Sequence, residues 1–213
     1  ILIDGLRLRH LLIGDDFRFG AQRRGDFAML SEAARQHRFG LERMDTVSDG
    51  GRRVSSSEVR AALAAADFER ARELLGRPYF ISGRVIHGRK LGRALGFPTL
   101  NLRIAHGRPA LSGIFVVRVH GLQPTPLPAV ASLGVRPAVE SAGRPLLEAH
   151  VFDFDRDVYG ALVRVEFLEK LREEMAFGSM DALAAQIARD AEQARAHFRR
   201  APQQSHRNSD DGR

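Results

Sequence analysis

The sequence predicts a fold of class α/β plus all-β, with a C-terminal helix. Three observations support this prediction. The first third alternates a short apolar run with helical spacing, as α/β units do. From Pro78 onward, six runs rich in β-branched or aromatic residues follow one another, with Gly and Pro clusters between them. The stretch after Ser179 returns to a helical period. Six short strands without intervening helices favour a closed antiparallel barrel or a sandwich.

The first part of the chain reads as strand, helix, strand and helix. The run HLLIG suits a buried parallel strand, and FAMLSEAARQHRF has helical spacing. Ser55 and Glu58 have the spacing of a capping box, which predicts the start of a helical stretch. That stretch has a break near Ala66, and Gly76 with Pro78 ends it.

The second part contains the six strand-like runs and one long helix. Ser179 is a suitable N-cap for the apolar periodicity of residues 180–198. The polar, aperiodic residues 201–213 are expected to form a disordered tail. We place the domain boundary near Arg77, which gives domains 1–76 and 77–200. The six runs are YFISGRVIHG, TLNLRI, GIFVVRVHG, LPAVASLGV, PLLEAHVFDF and ALVRVEFLEKL.

Composition narrows the possible functions. The net charge is +7 and the pI is near 10.9, but the basic residues are spread along the chain without a block of like charge, which disfavours nucleic-acid binding. Because 31 of the 33 basic residues are arginines, a single Arg in a motif carries little weight. No apolar run approaches the roughly 18 residues of a membrane span.

Cysteine is absent, which excludes disulfides, thiolate metal sites and cysteine nucleophiles, and which agrees with a cytoplasmic protein. The chain begins at Ile1, in what reads as the middle of a fold. We therefore expect it to be a fragment of a longer protein.

The stretch HGRKLGRALGFPTLNL combines glycines, basic residues and two oxygen ligands. Thr99 and Asn101 stand two apart, so in an extended segment both side chains point the same way. Their oxygens are hard ligands of the kind that Mg²⁺ accepts, and the glycines would let backbone N–H groups approach an anion. The pattern suggests a nucleoside triphosphate with its metal. Taken alone, a basic flexible loop before an ordinary strand is the simpler interpretation.

The order of motifs over residues 76–197 resembles bacterial riboflavin kinase. The stretches are LLGRPYFISGRVIHGRKLGRALGFPTLNL, GIFVV, ASLGVRPAV, LLEAHVFDFDRDVYG and VEFLEKLREEMAFGSMDALAAQI. The family's metal and nucleotide signature, Pro-Thr-Ala-Asn, corresponds to Pro98-Thr99-Leu100-Asn101, with both oxygen ligands kept. The resemblance implies a six-stranded antiparallel barrel.

The first third resembles the adenylyltransferase domain of the bifunctional riboflavin kinase/FMN adenylyltransferases, also called FAD synthetases. LLIGDDFRFGAQRRGD matches a strand and loop of that Rossmann-like domain, and VSSSEVR matches its Ile-Ser-Ser-Thr-x-x-Arg motif. Only the back half of the domain is matched, and no His-x-Gly-His motif occurs in the sequence. The matched residues of this adenylyltransferase remnant are Asp16, Phe17, Ser55, Ser56, Ser57 and Arg60.

The resemblance implies phosphoryl transfer from ATP to riboflavin, giving FMN and ADP, with Mg²⁺ as the cofactor. The longer parent would also convert FMN to FAD, an activity expected to be lost in this chain. Glu148, a lone carboxylate on an apolar strand, matches the catalytic base. From spacing alone, a rim glutamate paired with an arginine would explain it equally well.

The resemblance also assigns binding residues. Arg172 and Phe177 match the segment that approaches the flavin, although Ala176 stands where the family often has Lys. Thr99 and Asn101 are the expected metal ligands. The expected ATP-binding residues are Gly83, His87, Gly88, Gly92, Arg93, Pro98, Thr99 and His150.

Two other functions remain open. A catalytically silent flavin- or nucleotide-binding module would need Glu148 or the Thr99 and Asn101 pair to be absent or displaced, and all three residues are present. A basic barrel that binds single-stranded nucleic acid would expose aromatic residues on one sheet face. The chain has 13 Phe, 2 Tyr and no Trp, and most of the Phe occupy core positions. We therefore expect small-molecule substrates, with no nucleic acid or membrane as partner.

Overall fold

A computed structural model describes residues 5–49, 52–88, 91–104, 109–135 and 145–205, together with Ile3. It forms two compact units, Ile1–Ser55 and Ser56–Arg213. The helices of residues 56–75 thus belong to the second unit. The boundary that we place near Arg77 separates two family domains, and it stays a prediction.

The first unit contains a two-stranded parallel sheet. Strand β1 (His10–Gly14) pairs in register with β2 (Gly40–Met44), and helix α1 (Phe27–His37) connects them. Asp26 caps α1 by accepting a hydrogen bond from the amide of Met29. Two further short strands, β3 (Ser48–Asp49) and β4 (Arg52–Arg53), pair antiparallel.

The predicted parallel strand and helix are confirmed, but the prediction that HLLIG is buried is wrong. Only Ile13 of β1 is buried, and Leu12 is 52% exposed. The reason is that the described sheet has only two strands, so too little structure packs on its faces to bury both rows of side chains.

Two helices begin the second unit. Helix α2 (Ser56–Ala64) and helix α3 (Phe68–Leu75) are separated at Ala66, whose φ of 56° is left-handed, so the predicted break is confirmed. Gly76 ends α3 in the left-handed conformation, as a glycine after a helix should. Phe68 of α3 packs against the rings of Phe115 and Phe167, which covers part of the barrel core.

The six predicted strands close into an antiparallel barrel in the order β10-β5-β6-β9-β8-β7. Their bounds are β5 (Phe80–Ile86), β6 (Leu100–Arg103), β7 (Gly113–His120), β8 (Leu127–Val135), β9 (Pro145–Val151) and β10 (Leu162–Arg172). A four-residue helix, α4 (Leu91–Ala94), lies between β5 and β6, where only a loop was predicted. The barrel interior is filled by fully buried side chains, among them Leu102, Phe115, Val117, Leu133, Leu147 and Val165.

Helix α5 (Met180–Ser205) packs on the outside of β7, β8 and β10. Ile114, Val116 and Val130 meet Ala191 and Ala194 in this layer. Strand β7 is therefore buried on both faces, which explains why GIFVV is continuously apolar rather than alternating. Ser179 caps the helix, as predicted, by accepting a hydrogen bond from the amide of Ala182. The helix continues to Ser205, five residues into the predicted tail, and residues 206–213 lie outside the described part.

Candidate active site

Strand β9 carries the predicted base between two polar neighbours. Glu148 lies directly opposite Asn101 on β6 and directly opposite Ser132 on β8. Residues that face each other across an antiparallel pair share one side of the sheet, with Cβ atoms about 5 Å apart. Leu147 and Ala149 point into the barrel and are fully buried, so Glu148 points outward, where it is half-buried.

Asn101 is the most unusual polar side chain of the barrel. It is 4% exposed, its Nδ2 donates to the carbonyl oxygen of Thr99 at 3.3 Å, and its Oδ1 has no hydrogen-bond partner within the described structure. A buried oxygen without a partner costs about 1–3 kcal/mol. Such an atom is expected where a ligand completes the site, and an amide oxygen suits a small hard cation.

Gly88 is packed against this asparagine. A Cβ at position 88 would lie 2.5 Å from Asn101 Nδ2 and 2.6 Å from Asn101 Oδ1. Only glycine lets the backbone of the loop come this close to the amide, so the loop is held over the predicted metal ligand. Arg89 and Lys90, which follow, lie outside the described residues.

Two cavities adjoin this segment, and Thr99 lines both. The Tyr159 cavity, of about 340 Å³, is lined by Arg93, Pro98, Thr99 and the loop after β9. The Phe177 cavity, of about 440 Å³, lies between the barrel and α5. Both volumes fall in the range of small-molecule sites. Of the predicted site residues, the Phe177 cavity is lined by Gly92, Thr99, Glu148, His150, Arg172 and Phe177.

Arg172 is held by a buried ion pair. Its Nε and Nη2 donate to the carboxylate of Asp190 at 2.9 and 2.6 Å, and its Nη1 donates to the carbonyl oxygen of Glu173. Asp190 is 3% exposed and also accepts from Gln186. The guanidinium thus has a fixed plane, and its carbon lies 5.9 Å from the ring centroid of Phe177.

Three predicted ATP-binding residues make defined contacts within the protein. Gly83 lies within β5, where a Cβ would contact Leu102, and the described lining of the two cavities does not include it. His87 is exposed and stacks on Tyr159, with ring centroids 3.7 Å apart. His150 donates from Nδ1 to the carbonyl oxygen of Pro98 at 2.8 Å.

The residues of the adenylyltransferase remnant are split between the units. Asp16 pairs with Arg53 at 2.8 Å, and Phe17 stacks on Phe19, both within the first unit, which also contains Ser55. A hydrogen bond from Thr46, with a smaller contribution from Arg53, lowers the pKa of neighbouring Asp15. The remaining predicted residues, Ser56, Ser57 and Arg60, are exposed on the first turns of α2 in the second unit.

The sequence-based predictions missed several residues of the two cavities. Ser132, Glu174 and Asp190 line the Phe177 cavity, and Asp155, Arg156, Asp157 and Tyr159 line the other. Asp190 could have been found, because it interrupts the apolar stripe of α5 between Ile187 and Ala194. A third cavity, of about 610 Å³, runs along β10 and includes only Arg172 of the predicted site.

Within the part of the chain that the structure describes, no group of three or more His, Cys, Asp or Glu side chains is placed to hold a metal ion. No helix of the same part is both long and apolar enough to span a membrane.

Comparisons with known proteins identify the family of the chain. A family model described as riboflavin kinase matches residues 75–198, more than half of the chain. The chain belongs to the riboflavin kinase family. A second family model, described as FAD synthetase, matches residues 1–58.

Curated relatives match over nearly the whole chain. A bifunctional riboflavin kinase/FMN adenylyltransferase from Pseudomonas fluorescens is 48% identical over 92% of this chain and 63% of its own length. The protein of the same name from Escherichia coli K12 is 45% identical over 93% of this chain and 63% of its own length. The chain thus spans somewhat less than two thirds of these relatives.

Among solved structures, a macrolide-efflux protein from Streptococcus pneumoniae is similar with a TM-score of 0.62 and 30% identity, over 85% of this chain and 58% of that one. The predicted family and the predicted barrel are confirmed.

Proposed function

We propose that this chain is a riboflavin kinase, which transfers the γ-phosphoryl group of ATP to the ribityl 5′-hydroxyl of riboflavin. The observation that carries the proposal is the position of Thr99, which lines both cavities, beside a directly opposed Asn101 and Glu148. Phosphoryl transfer needs two substrates that meet at one point, with a base beside the acceptor hydroxyl. The matches to riboflavin kinases give the two substrates their identity.

In this proposal ATP occupies the Tyr159 cavity and riboflavin the Phe177 cavity. The Tyr159 cavity offers Arg93 for phosphate oxygens. The Phe177 cavity offers apolar walls and an aromatic ring for the planar isoalloxazine. Glu148 accepts the proton of the 5′-hydroxyl as that oxygen bonds to phosphorus and ADP leaves.

Mg²⁺ fits the residues present. Thr99 and the partnerless Oδ1 of Asn101 would hold the ion, and phosphate oxygens of ATP would complete its shell, because two neutral ligands bind it weakly by themselves. When bound, the ion would neutralise negative charge on the phosphate oxygens.

Three carboxylates line the Phe177 cavity, and one of them, Asp190, is paired with Arg172. Of the two glutamates we assign the base to Glu148 rather than Glu174. Glu148 lies on the strand beside Asn101. The Glu174 carboxylate instead covers Gly134, where it would collide with any Cβ, and its Oε1 lies 3.4 Å from the hydroxyl of Ser132. Glu174 therefore lies further from the predicted metal ligands along β8.

The experiment is a chromatographic assay of the chain with riboflavin, ATP and Mg²⁺, using Glu148→Gln and the matched variant Glu174→Gln. We expect FMN as product, a loss of about 10²- to 10⁴-fold in kcat for Glu148→Gln, and a loss below about 10-fold for Glu174→Gln. Folded protein that binds riboflavin but forms no FMN would instead identify a silent binding module.

For a longer parent protein, we propose FMN adenylyltransferase activity as well, and a cytoplasmic location. The FAD synthetase match to residues 1–58 supports the activity. The sequence contains no His-x-Gly-His motif, so we expect this chain to form FMN without FAD. FAD in the same assay would show that adenylyl transfer does not need that motif.

A further inference from the structure

The imidazole of His150 connects β9 to the segment that precedes β6. Its Nδ1 lies 2.8 Å from the carbonyl oxygen of Pro98. A carbonyl oxygen only accepts, so Nδ1 carries the proton and donates it. The ring also meets Phe97 and Phe152 edge-on, with centroids 5.5 and 5.7 Å apart. His150 is therefore fixed by one hydrogen bond and two aromatic contacts.

This hydrogen bond lies where the backbone pairing of the two strands ends. The β6–β9 ladder runs from Arg103 to Leu100, which pairs with Ala149. Pro98 and Thr99 lie beyond the ladder, and proline has no N–H with which to extend it. The His150 side chain thus attaches this segment to β9 at the point where the main chain no longer does.

The attached segment is the one on which the two cavities converge. Pro98 lines the Tyr159 cavity, and Thr99, the next residue, lines both. His150 stands two residues after Glu148 on the same face of β9. One strand therefore carries the proposed base and also a side chain that holds the segment bearing a proposed metal ligand.

We infer that His150 is a positioning residue, which acts through Pro98 to hold Thr99 at the junction of the two cavities. It does so without touching the transferred phosphoryl group. We call the hydrogen bond from His150 to Pro98 the tether. The effect of the tether on turnover rests on the proposed kinase function, whereas the tether itself does not.

Two variants separate the hydrogen bond from the packing. His150→Phe keeps an aromatic ring between Phe97 and Phe152 and removes the donor. His150→Asn keeps an N–H donor near the position of Nδ1 and removes the ring. If the tether positions Thr99, kcat for FMN formation falls about 10- to 100-fold in His150→Phe and stays within about threefold in His150→Asn.

A purely structural role predicts the reverse order, with His150→Asn the poorer enzyme. Wild-type kcat in His150→Phe, or a lower kcat in His150→Asn than in His150→Phe, would overturn the inference.

A second measurement needs no activity. Amide hydrogen exchange of the full, ligand-free chain should be at least about 10-fold faster over residues 97–101 in His150→Phe than in wild type, and should be restored in His150→Asn. ¹⁵N NMR should show the Nδ1–H tautomer of His150 in the wild-type chain.

This measurement separates the two proposals. If the chain makes no FMN but the exchange pattern holds, the proposed function fails and the tether stands. If exchange over residues 97–101 is unchanged in His150→Phe, the tether is refuted whatever the activity.

Discussion

The two cavities that meet at Thr99 differ in their walls. The Tyr159 cavity presents charged side chains from one local loop, Asp155, Arg156 and Asp157, together with Arg93. The polar groups of the Phe177 cavity come instead from several elements, β8, β9, β10 and α5.

Because the two cavities are built from different elements, we expect substitutions in them to have different effects on binding and stability. The loop of the Tyr159 cavity is held by the hydrogen bond from the Tyr159 amide to the Asp157 carboxylate and by that from Arg156 to the carbonyl oxygen of Leu122. The Phe177 cavity exists only while α5 stays packed on the barrel. Substitutions in the loop of the Tyr159 cavity should change nucleotide binding alone. Substitutions where α5 packs on the barrel should change both the stability of the fold and flavin binding.

Among the substitutions that test this comparison, the largest effect is expected beside the junction of the cavities, from Asn101→Leu. This substitution removes the buried oxygen that has no partner among the described residues, together with one hydrogen bond of 3.3 Å. We expect kcat to fall about 100-fold, because a metal and phosphate ligand is lost. Stability in the absence of ligands should be equal or higher, because a partnerless buried oxygen costs about 1–3 kcal/mol. Urea unfolding and steady-state kinetics measure the two effects.

The control for this prediction is Asn101→Asp, which keeps an oxygen at the same place. It should retain a dependence on Mg²⁺ and should lower the free energy of unfolding of the ligand-free chain, because it buries a charge. A clear loss of stability in Asn101→Leu would show that the oxygen is satisfied within the protein, and that it is not kept for a ligand.

Asp190→Asn should have the next largest effect. Its effect on substrate binding should be confined to riboflavin. The amide keeps the shape of Asp190 but leaves the half-buried guanidinium of Arg172 without its full counter-charge. Breaking a buried ion pair costs about 3–5 kcal/mol, and we expect about 2 kcal/mol here because one acceptor oxygen remains. KM for riboflavin should rise more than KM for ATP. Equal changes in both constants would contradict the assignment of the two cavities.

A pair of truncations tests the assignment directly, with an expected effect of about 10-fold each. Arg93→Ala removes a charged group of the Tyr159 cavity and should raise KM for ATP about 10-fold, with riboflavin unaffected. Phe177→Ala removes the aromatic wall of the Phe177 cavity and should raise KM for riboflavin about 10-fold, with KM for ATP unaffected. If steady-state kinetics show a raised KM for riboflavin in Arg93→Ala and a raised KM for ATP in Phe177→Ala, the assignment of the two substrates to the two cavities must be reversed.

Local sequence patterns predicted those parts of the molecule that depend on local contacts. All six barrel strands follow from β-branched runs between turns, and the caps at Gly76 and Ser179 follow from residue type and position. The alternation of Thr99 and Asn101 identified the segment between the cavities. The family resemblance supplied the role of Glu148.

The parts that were missed depend on tertiary neighbours. No local pattern shows that α5 brings Asp190 to Arg172, or that the carboxylate of Glu174 covers Gly134. Burial of HLLIG was predicted wrongly because a strand's own composition does not reveal how many neighbours its sheet has.

The smallest effect is expected from Asp153→Asn, at the exposed ion pair that joins the end of β9 to α5. Both carboxylate oxygens of Asp153 lie 3.0 Å from the guanidinium of Arg195. Asn tolerates the left-handed φ of 54° at this position, so the substitution tests charge rather than backbone strain. The hydrogen bonds and charge of Arg195 lower the pKa of the Asp153 carboxyl below its ordinary value of 3.8.

A lowered folded-state pKa means that this pair stabilises the fold above pH 3.8, and that its contribution is lost as the pH falls through the lower folded value. Wild type should therefore melt slightly above Asp153→Asn at pH 7, and the gap in Tm should close below pH 3.8 and in high salt. A gap in Tm as large as that of Asp190→Asn would mean that this exposed pair holds α5 as firmly as the buried one, contrary to what its solvent exposure predicts.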